Sequence, residues 1–306
     1  MLDIISVGPG EAVLLTDDAK QAMDRADAVW CAARHAVLVP PEKARPLSPL
    51  EGAIEQMRLS SDAGQRAAVL VSGDAGLYSL LEMLKRKISG EYLRVHPGVS
   101  ALQLFAARLG VSWQDAKILS AHGRALSESA LCHAVRTHRQ TFCFLDAAHN
   151  PAWVRESLNL GGLENVRLFV GERLSYPDER TEAYDPDATY DPLCMAYIEN
   201  DAPESGLPPV GLSDEAFIRG KTPMTKRDVR ALVVSALHLK PNGVVWDIGA
   251  GTGSVSVECA RQCPLGEVYA VEMKDEALDL IRRNAERFHA LNLRVVPGRA
   301  LEVLSA

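Results

Sequence analysis

Short apolar runs and helical patterns alternate along the first two hundred residues. Runs at 4–7, 28–31, 67–71, 142–145 and 166–170 read as strands. Between them, the spacing of apolar positions predicts helices over 19–26, 77–84, 100–109 and 153–160. Alternation of this kind predicts α/β units with largely buried sheets. Gly110 and the polar stretch 112–115 are placed to divide the region into two subdomains.

Residues 200–212 break the pattern, with three prolines and two glycines and little periodicity. Such a composition marks a linker. Beyond it, Thr225 followed by Asp228 has the spacing of a capping box. Val229, Leu232, Val233, Ala236 and Leu237 then recur at helical spacing, until Asn242-Gly243 stops the helix. Strands at 244–248, 267–271 and 293–296 alternate with helices at 255–261 and 276–288. The β-α-β-α-β order is the first half of a doubly wound fold. The expected division is therefore an α/β domain over 1–201, a linker over 202–212 and a Rossmann-like domain from 213 onward.

The chemistry-bearing segment of the second domain is Val245-Trp246-Asp247-Ile248-Gly249-Ala250-Gly251-Thr252-Gly253-Ser254. Glycines that close a strand and open a helix let the backbone approach a ligand without a Cβ in the way. Twenty-three residues after Gly249 the second strand ends in Glu272, whose ionised carboxylate can accept both hydroxyls of a ribose. The dinucleotide fingerprint G-x-G-x-x-G sets its third glycine where a helix meets pyrophosphate. Here the glycines fall at 249, 251 and 253, and position 254 is serine. With Asp247 in front, the pattern resembles motif I of the class I methyltransferases. That resemblance implies S-adenosylmethionine as cofactor and Asp247, Gly249, Gly251, Gly253 and Glu272 as its ligands. A nicotinamide dehydrogenase is the more distant reading of the same loop.

The first domain carries a second resemblance. Val7-Gly8-Pro9-Gly10 with Leu15-Thr16 and Ala19, then 71–78 around Gly73-Asp74, then Pro97-Gly98-Val99-Ser100-Ala101, and then Ser120-Ala121-His122-Gly123-Arg124 follow one another. In this order they resemble the tetrapyrrole methylases, although Ala75 stands where that family usually has proline. The resemblance implies two α/β subdomains with S-adenosylmethionine in a cleft, and Pro9, Gly73, Asp74, Leu77, Ser100 and Ala101 as cofactor-lining positions. Such a domain fused to a class I module, with Pro223-Met224-Thr225-Lys226 leading into it, resembles the precorrin-6Y C5,15-methyltransferase (decarboxylating) family of cobalamin biosynthesis. Methylation of a precorrin at C5 and C15, with loss of carbon dioxide from the C12 acetate, is the implied activity. A methylase of another substrate, or a single-site methylase with a non-catalytic second module, are the alternatives. The family's second module has seven strands. About ninety-five residues follow the linker and supply three strands, so an uncovered edge with exposed apolar surface is expected.

Composition narrows the partners. A net charge of −7 argues against general nucleic-acid binding. No apolar segment is long enough to span a membrane, and the first residues carry no secretory pattern, so a cytoplasmic protein is expected. A homo-oligomer, with a dimer favoured, is what the family resemblance implies. A substrate bearing several carboxylates calls for arginines. His122 and Arg124 in the first domain, and Lys226 with Arg227 in the second, are the candidate contacts. A loop histidine bonded to backbone and a solvated first-turn pair explain the same residues without a ligand. His96 reads as structural, and Asp146 with His149 as either an acid/base pair or a strand-end turn. Cys259 and Cys263, four apart, read as core residues, with no metal expected. In-line methyl transfer needs alignment above all, and no catalytic base is identified.

Overall fold

The computed structural model describes residues 1–88 and 93–304. The chain divides into two compact units. One comprises Met1–Asp115, Val170–Glu182 and Thr189–Met195, and the other comprises Ala116–Phe169, Ala183–Ala188 and Ala196–Ala306.

The first unit is built on β1 (Leu2–Ser6), β2 (Ala28–Cys31), β3 (Ala44–Pro46), β4 (Ala67–Val71) and β5 (Leu93–His96), in the order β3-β2-β4-β1-β5. The strands pair in parallel, with Leu2 opposite both Ala67 and Leu93. Because side chains alternate along a strand, Ile4, Val69 and Val71 face one core with Ile54 and Met57 of α2 (Leu50–Asp62). Ile5 and Leu70 face another with Ala19, Ala22 and Met23 of α1 (Asp17–Arg25). Burial on both faces explains the unbroken apolar runs, each fully buried aliphatic side chain contributing about 1.5–3 kcal/mol. Thr16 caps α1 by accepting from the Ala19 amide at 3.1 Å. The helix expected over 77–84 begins later, as α3 (Leu81–Lys87). The Leu77 amide is spent on Asp74 in a turn, and Tyr78 has a φ of 50° that no α-helix accepts.

A second five-stranded sheet has the order β6-β7-β10-β8-β9, with β6 (Lys117–Ser120), β7 (Gln140–Phe144), β8 (Arg167–Glu172), β9 (Arg180–Ala183) and β10 (Cys194–Glu199). Helix α4 (Ala101–Leu109) precedes this sheet, within Met1–Asp115, and α5 (Glu128–Thr137) and α6 (Pro151–Leu160) lie between its strands along the chain. Asn150 and Pro151 start α6 as N-cap and first-turn proline.

Residues 201–213 hold neither helix nor strand, yet they are tied down. The Glu204 amide donates to the Arg136 carbonyl at 2.8 Å, and the Gly211 and Leu212 amides donate to the Glu258 carboxylate. The chain then forms α7 (Arg227–Ala236), β11 (Val244–Ile248), α8 (Ser254–Gln262), β12 (Glu267–Glu272), α9 (Asp275–Arg287), β13 (Leu293–Pro297) and α10 (Ala300–Leu304). The sheet order β11-β12-β13 is parallel throughout. The expected capping box is absent: α7 starts after Lys226, which makes no side-chain cap. Helix α7 also ends well before Asn242-Gly243, where His238 takes a φ of 47°. Its apolar stripe faces outward, with Leu232 72% exposed, whereas Arg230 is wholly buried. On the edge strand β11, Val244, Trp246 and Ile248 are exposed as well, so apolar surface lies uncovered on this module.

Candidate functional site

In the first sheet, the chain leaves β1 toward β2 and leaves β4 toward β5, on opposite sides. Adjacent strands whose continuations diverge leave a crevice at their carboxyl ends, the favoured ligand position of open α/β sheets. Gly8 and Gly73 occupy that point. Their backbones pair in an isolated antiparallel bridge, with Gly73 N–H donating to the Gly8 carbonyl at 2.7 Å and Gly8 N–H donating back at 3.2 Å. Gly73 has a φ of 67° and a hypothetical Cβ would meet nothing closer than 3.9 Å, so open space lies beside its backbone. Asp74 accepts from the Gly76 amide at 2.8 Å and from the Gly98 amide at 3.2 Å, which joins the loop after β4 to the loop after β5. Ser100 then caps α4 in a reciprocal box with Gln103. Pro9, Gly73, Asp74 and Leu77 thus lie in loops at one end of a single sheet, with Ser100 and Ala101 at the start of α4, which follows the loop after β5. His122 and Arg124 follow β6 in the second unit, and both are exposed.

Two groups in this unit carry no sequence signal. Tyr176 lies against Gly10 so closely that a Cβ there would overlap its hydroxyl. Its hydroxyl has no hydrogen-bond partner among the described residues, and the Arg173 guanidinium sits 5.1 Å from its ring centre. The segment holding it is bent by left-handed residues at Arg173 and Ser175, with φ of 47° and 76°. His35 is fully buried and bonded to Ser72, next to Gly73, at 2.8 Å, and Arg34 donates to the same Ser72 hydroxyl at 2.6 Å. Burial, reinforced by Arg34, pushes the His35 imidazole down to about 4, so it is neutral.

His96, buried at the end of β5, is structural: its ring nitrogens reach Asp3 at 2.8 Å and the half-exposed Asp18 at 2.5 Å. Asp146 accepts from the Ala148 and His149 amides and from the His149 ring, and so forms a strand-end turn. Cys259 and Cys263 lie fully buried in the core of the last module, and burial pushes the Cys259 thiol up to about 12.

The glycine loop of the last module is left-handed at all three glycines, with φ of 78°, 58° and 74° at 249, 251 and 253. The Gly249 and Ala250 amides donate to the Val271 carbonyl, the Gly253 amide to Ala250, and the Gly251 amide to Glu272. Amides turned inward in this way do not form a phosphate cradle. Space within 4 Å of a hypothetical Gly249 Cβ is empty, whereas at Gly253 it would press on Ile281 at 3.1 Å. Burial alone would raise Glu272, but amide donors from Met273, Lys274 and Gly251 outweigh it and hold the carboxyl below its usual range. Asp247 is raised by burial, against a 2.5 Å bond donated by Ser256. Lys226 lies 3.9 Å from Asp214, and Arg227 donates to the Gly211 carbonyl at 3.0 Å. Arg230 anchors the module: it binds Glu258 at 2.7 Å, Asp214 at 3.2 Å and the Thr225 carbonyl at 2.6 Å.

Comparison with known proteins finds two family models along the chain. Residues 1–185 match the tetrapyrrole (corrin/porphyrin) methylases, and residues 215–306 match a precorrin methyltransferase domain. A precorrin-6Y C(5,15)-methyltransferase [decarboxylating] of Sinorhizobium sp is 31% identical, over 99% of this chain and 75% of that protein. A cobalt-precorrin-6B C(15)-methyltransferase (decarboxylating) of Salmonella typhimurium is 47% identical over 90 residues, 29% of this chain and 47% of that protein. The chain thus spans three quarters of the first relative and about half of the second. Among solved structures, the precorrin-6Y methylase of Archaeoglobus fulgidus covers 66% of this chain and 98% of its own at 21% identity and a TM-score of 0.50. A uroporphyrin-III C-methyltransferase of Thermus thermophilus complexed with S-adenosylhomocysteine covers 65% and 96%, at 18% identity and a TM-score of 0.53. At these identities the two structures speak for the fold.

Proposed function

Since the chain belongs to the tetrapyrrole methylases, in the precorrin-6Y C5,15-methyltransferase (decarboxylating) family, we propose that it methylates a precorrin at C5 and C15 and promotes loss of carbon dioxide from the C12 acetate. The division behind this reading is a methylase domain over 1–201, a linker over 202–212 and the amino-terminal part of a class I module from 213 onward. When bound, S-adenosylmethionine supplies a methyl group on a sulfonium, so that a carbon–carbon bond forms to the macrocycle as a carbon–sulfur bond breaks.

The residues present fit that cofactor. Beside Gly249 a side chain would fill space that the glycine leaves free, and the inward-turned amides suit a ligand without phosphate. Glu272 accepts three amide bonds from its own chain, which leaves acceptor capacity on the carboxylate for ribose hydroxyls. Its lowered pKa keeps it ionised at neutral pH. In the first unit, Pro9, Gly73, Asp74, Leu77, Ser100 and Ala101 would hold the second molecule of cofactor, with Asp74 fixing the relative position of its two loops. Alignment is the main task of both sites, because an activated methyl needs no protein nucleophile. His122, Arg124 and Lys226 are the proposed anchors for substrate carboxylates. Arg227 serves the same role only after releasing the Gly211 carbonyl.

The observation that carries the proposal is the pairing of Gly8 with Gly73 at the divergence of β1 and β4, together with the Gly249–Glu272 loop. Six buried free cysteines suit a reducing compartment, hence the cytoplasm. A dimer is the assembly that family membership suggests. The test is incubation with the precorrin-6Y macrocycle and methyl-labelled cofactor, followed by mass analysis. Incorporation of two labels and loss of one carbon dioxide is expected. One label without decarboxylation would confine activity to the first domain, and no label would overturn the reading.

A further inference from the structure

Within the second unit, α5 meets the ends of α8 and α9 around a cavity of about 130 Å³, lined by His133, Arg136, Glu204, Arg261, His289 and Asn292 among others. A single water needs only about 10–15 Å³ by the same measure, so the space admits a larger guest. The contacts that frame it are specific. Ser129 donates to the Pro264 carbonyl at 2.8 Å, and the His289 ring bonds the Leu160 carbonyl at 2.8 Å. A Cβ on Gly162 would press on the His289 ring at 2.6 Å, which leaves that ring little freedom.

Charge in this cavity is unbalanced. Arg261 is partly buried, and no described residue gives it a hydrogen bond or an ion pair. The carboxylates near it are taken: Glu258 by Arg230 at 2.7 Å and Glu204 by Arg136 at 3.7 Å. Burial lowers the Arg261 guanidinium against the pull of Glu258 and Glu204, and the like charge of Arg136 adds to the lowering. His133 is also without a side-chain partner among the described residues. Burial lowers it, with His138, Arg136 and Lys117 in the same direction and Glu204 opposing. Other polar groups are spent. The Asn292 amide donates to the Ala260 and Cys263 carbonyls, and Arg136 donates to the Gly161 carbonyl at 2.6 Å. The Arg261 guanidinium is only partly withdrawn from water and has no partner among the described residues, so its planar fork is free to match an oxyanion in two bonds.

We propose that this cavity is a binding site for a small oxyanion, a phosphate or a carboxylate, gripped by Arg261 with the His133 ring and the Arg136 charge beside it. The occupant lies where α5, before the linker, meets α8 and α9, after it. Occupancy therefore tightens the docking of two segments that the linker joins. The site shares no residue with either proposed cofactor loop and stands whether or not methyl transfer occurs.

The test uses the full chain, with sodium phosphate and sodium acetate titrated separately at constant ionic strength made up with chloride. Calorimetry should show one saturable site, and the melting temperature should rise with the same anion. A response to phosphate with acetate inert assigns a phosphate site, and a response to both assigns a carboxylate-type site. Arg261→Met should melt higher than the wild type in chloride alone and lose the response to the anion. Arg261→Lys, which keeps the charge without the fork, should bind about tenfold more weakly. The proposal is overturned if the wild type shows no saturable binding of either anion. It is equally overturned if wild type and Arg261→Met gain the same stability from phosphate, as a bulk salt effect would give.

Discussion

The two candidate cofactor sites solve one problem with different materials. In the first unit the space is made by topology: chains leaving β1 and β4 diverge, and the glycines between them, Gly8 and Gly73, hold each other by backbone. In the last module it is made by a single βαβ turn, whose glycine loop is pinned by a carboxylate from the neighbouring strand, Glu272. The first arrangement depends on residues far apart in the chain. The second is nearly complete within 247–272. The first arrangement thus rests on fold-level geometry and the second on a local charge. The two sites should therefore fail independently.

The largest expected separation comes from Arg230, which lies wholly buried against Glu258. Arg230→Met leaves that buried carboxylate without its counter-charge, held only by the Gly211 and Leu212 amides, and should cost the last module about 3–5 kcal/mol. Denaturant unfolding followed by Trp246 fluorescence should report the loss, and ligand binding at the first site should persist. Collapse of both sites together would break the comparison.

His35 gives the converse test. Unfolded, its imidazole takes up a proton near the ordinary value of about 6.5, whereas folded it resists until about 4. Acid in that window therefore favours unfolding, by up to about 3 kcal/mol at its lower end. His35→Leu should flatten the pH dependence of stability between these values, as measured by urea midpoints, with the greater change in the first unit. An unchanged profile would mean that His35 is not buried neutral.

Tyr176→Phe removes the unpartnered hydroxyl beside Gly10 and nothing else. One lost ligand hydrogen bond is worth about 0.5–1.5 kcal/mol, so cofactor affinity at the first site should fall a few-fold while the second is unaffected. The smallest effect is expected at Leu232, which is 72% exposed. Leu232→Gln should move stability by no more than about 0.5 kcal/mol, although helical periodicity alone would place it in the core.

That last contrast shows where the sequence is readable. The strands 28–31, 67–71 and 244–248 coincide with β2, β4 and β11 because each is a short apolar run bounded by turns. Glu272 is legible because its distance from Gly249 is set by one βαβ unit. Helix α2 is not, since Pro49 precedes it without a side-chain cap and its apolar positions are interrupted by polar ones. Strand β10, Cys194–Glu199, is almost wholly buried, yet its mixed composition hides it. In α7 the spacing announces a helix but misleads about its inner face, because the residues it buries are a paired arginine, Arg230, and Val234. Tyr176 is 166 residues from Gly10, and no local rule joins them. His35 is likewise invisible until the fold brings it under Ser72. The domain boundaries, the homo-oligomer and the substrate contacts at His122, Arg124, Lys226 and Arg227 remain proposals.

On the proposed reading, one chain holds two independent sites for the same cofactor. Calorimetric titration of S-adenosylhomocysteine into the chain tests it most directly, with Gly73→Arg and Glu272→Ala measured alongside. Two sites are expected, the first lost only in Gly73→Arg and the second only in Glu272→Ala. One site per chain with Glu272→Ala silent, or no binding at all, would contradict it.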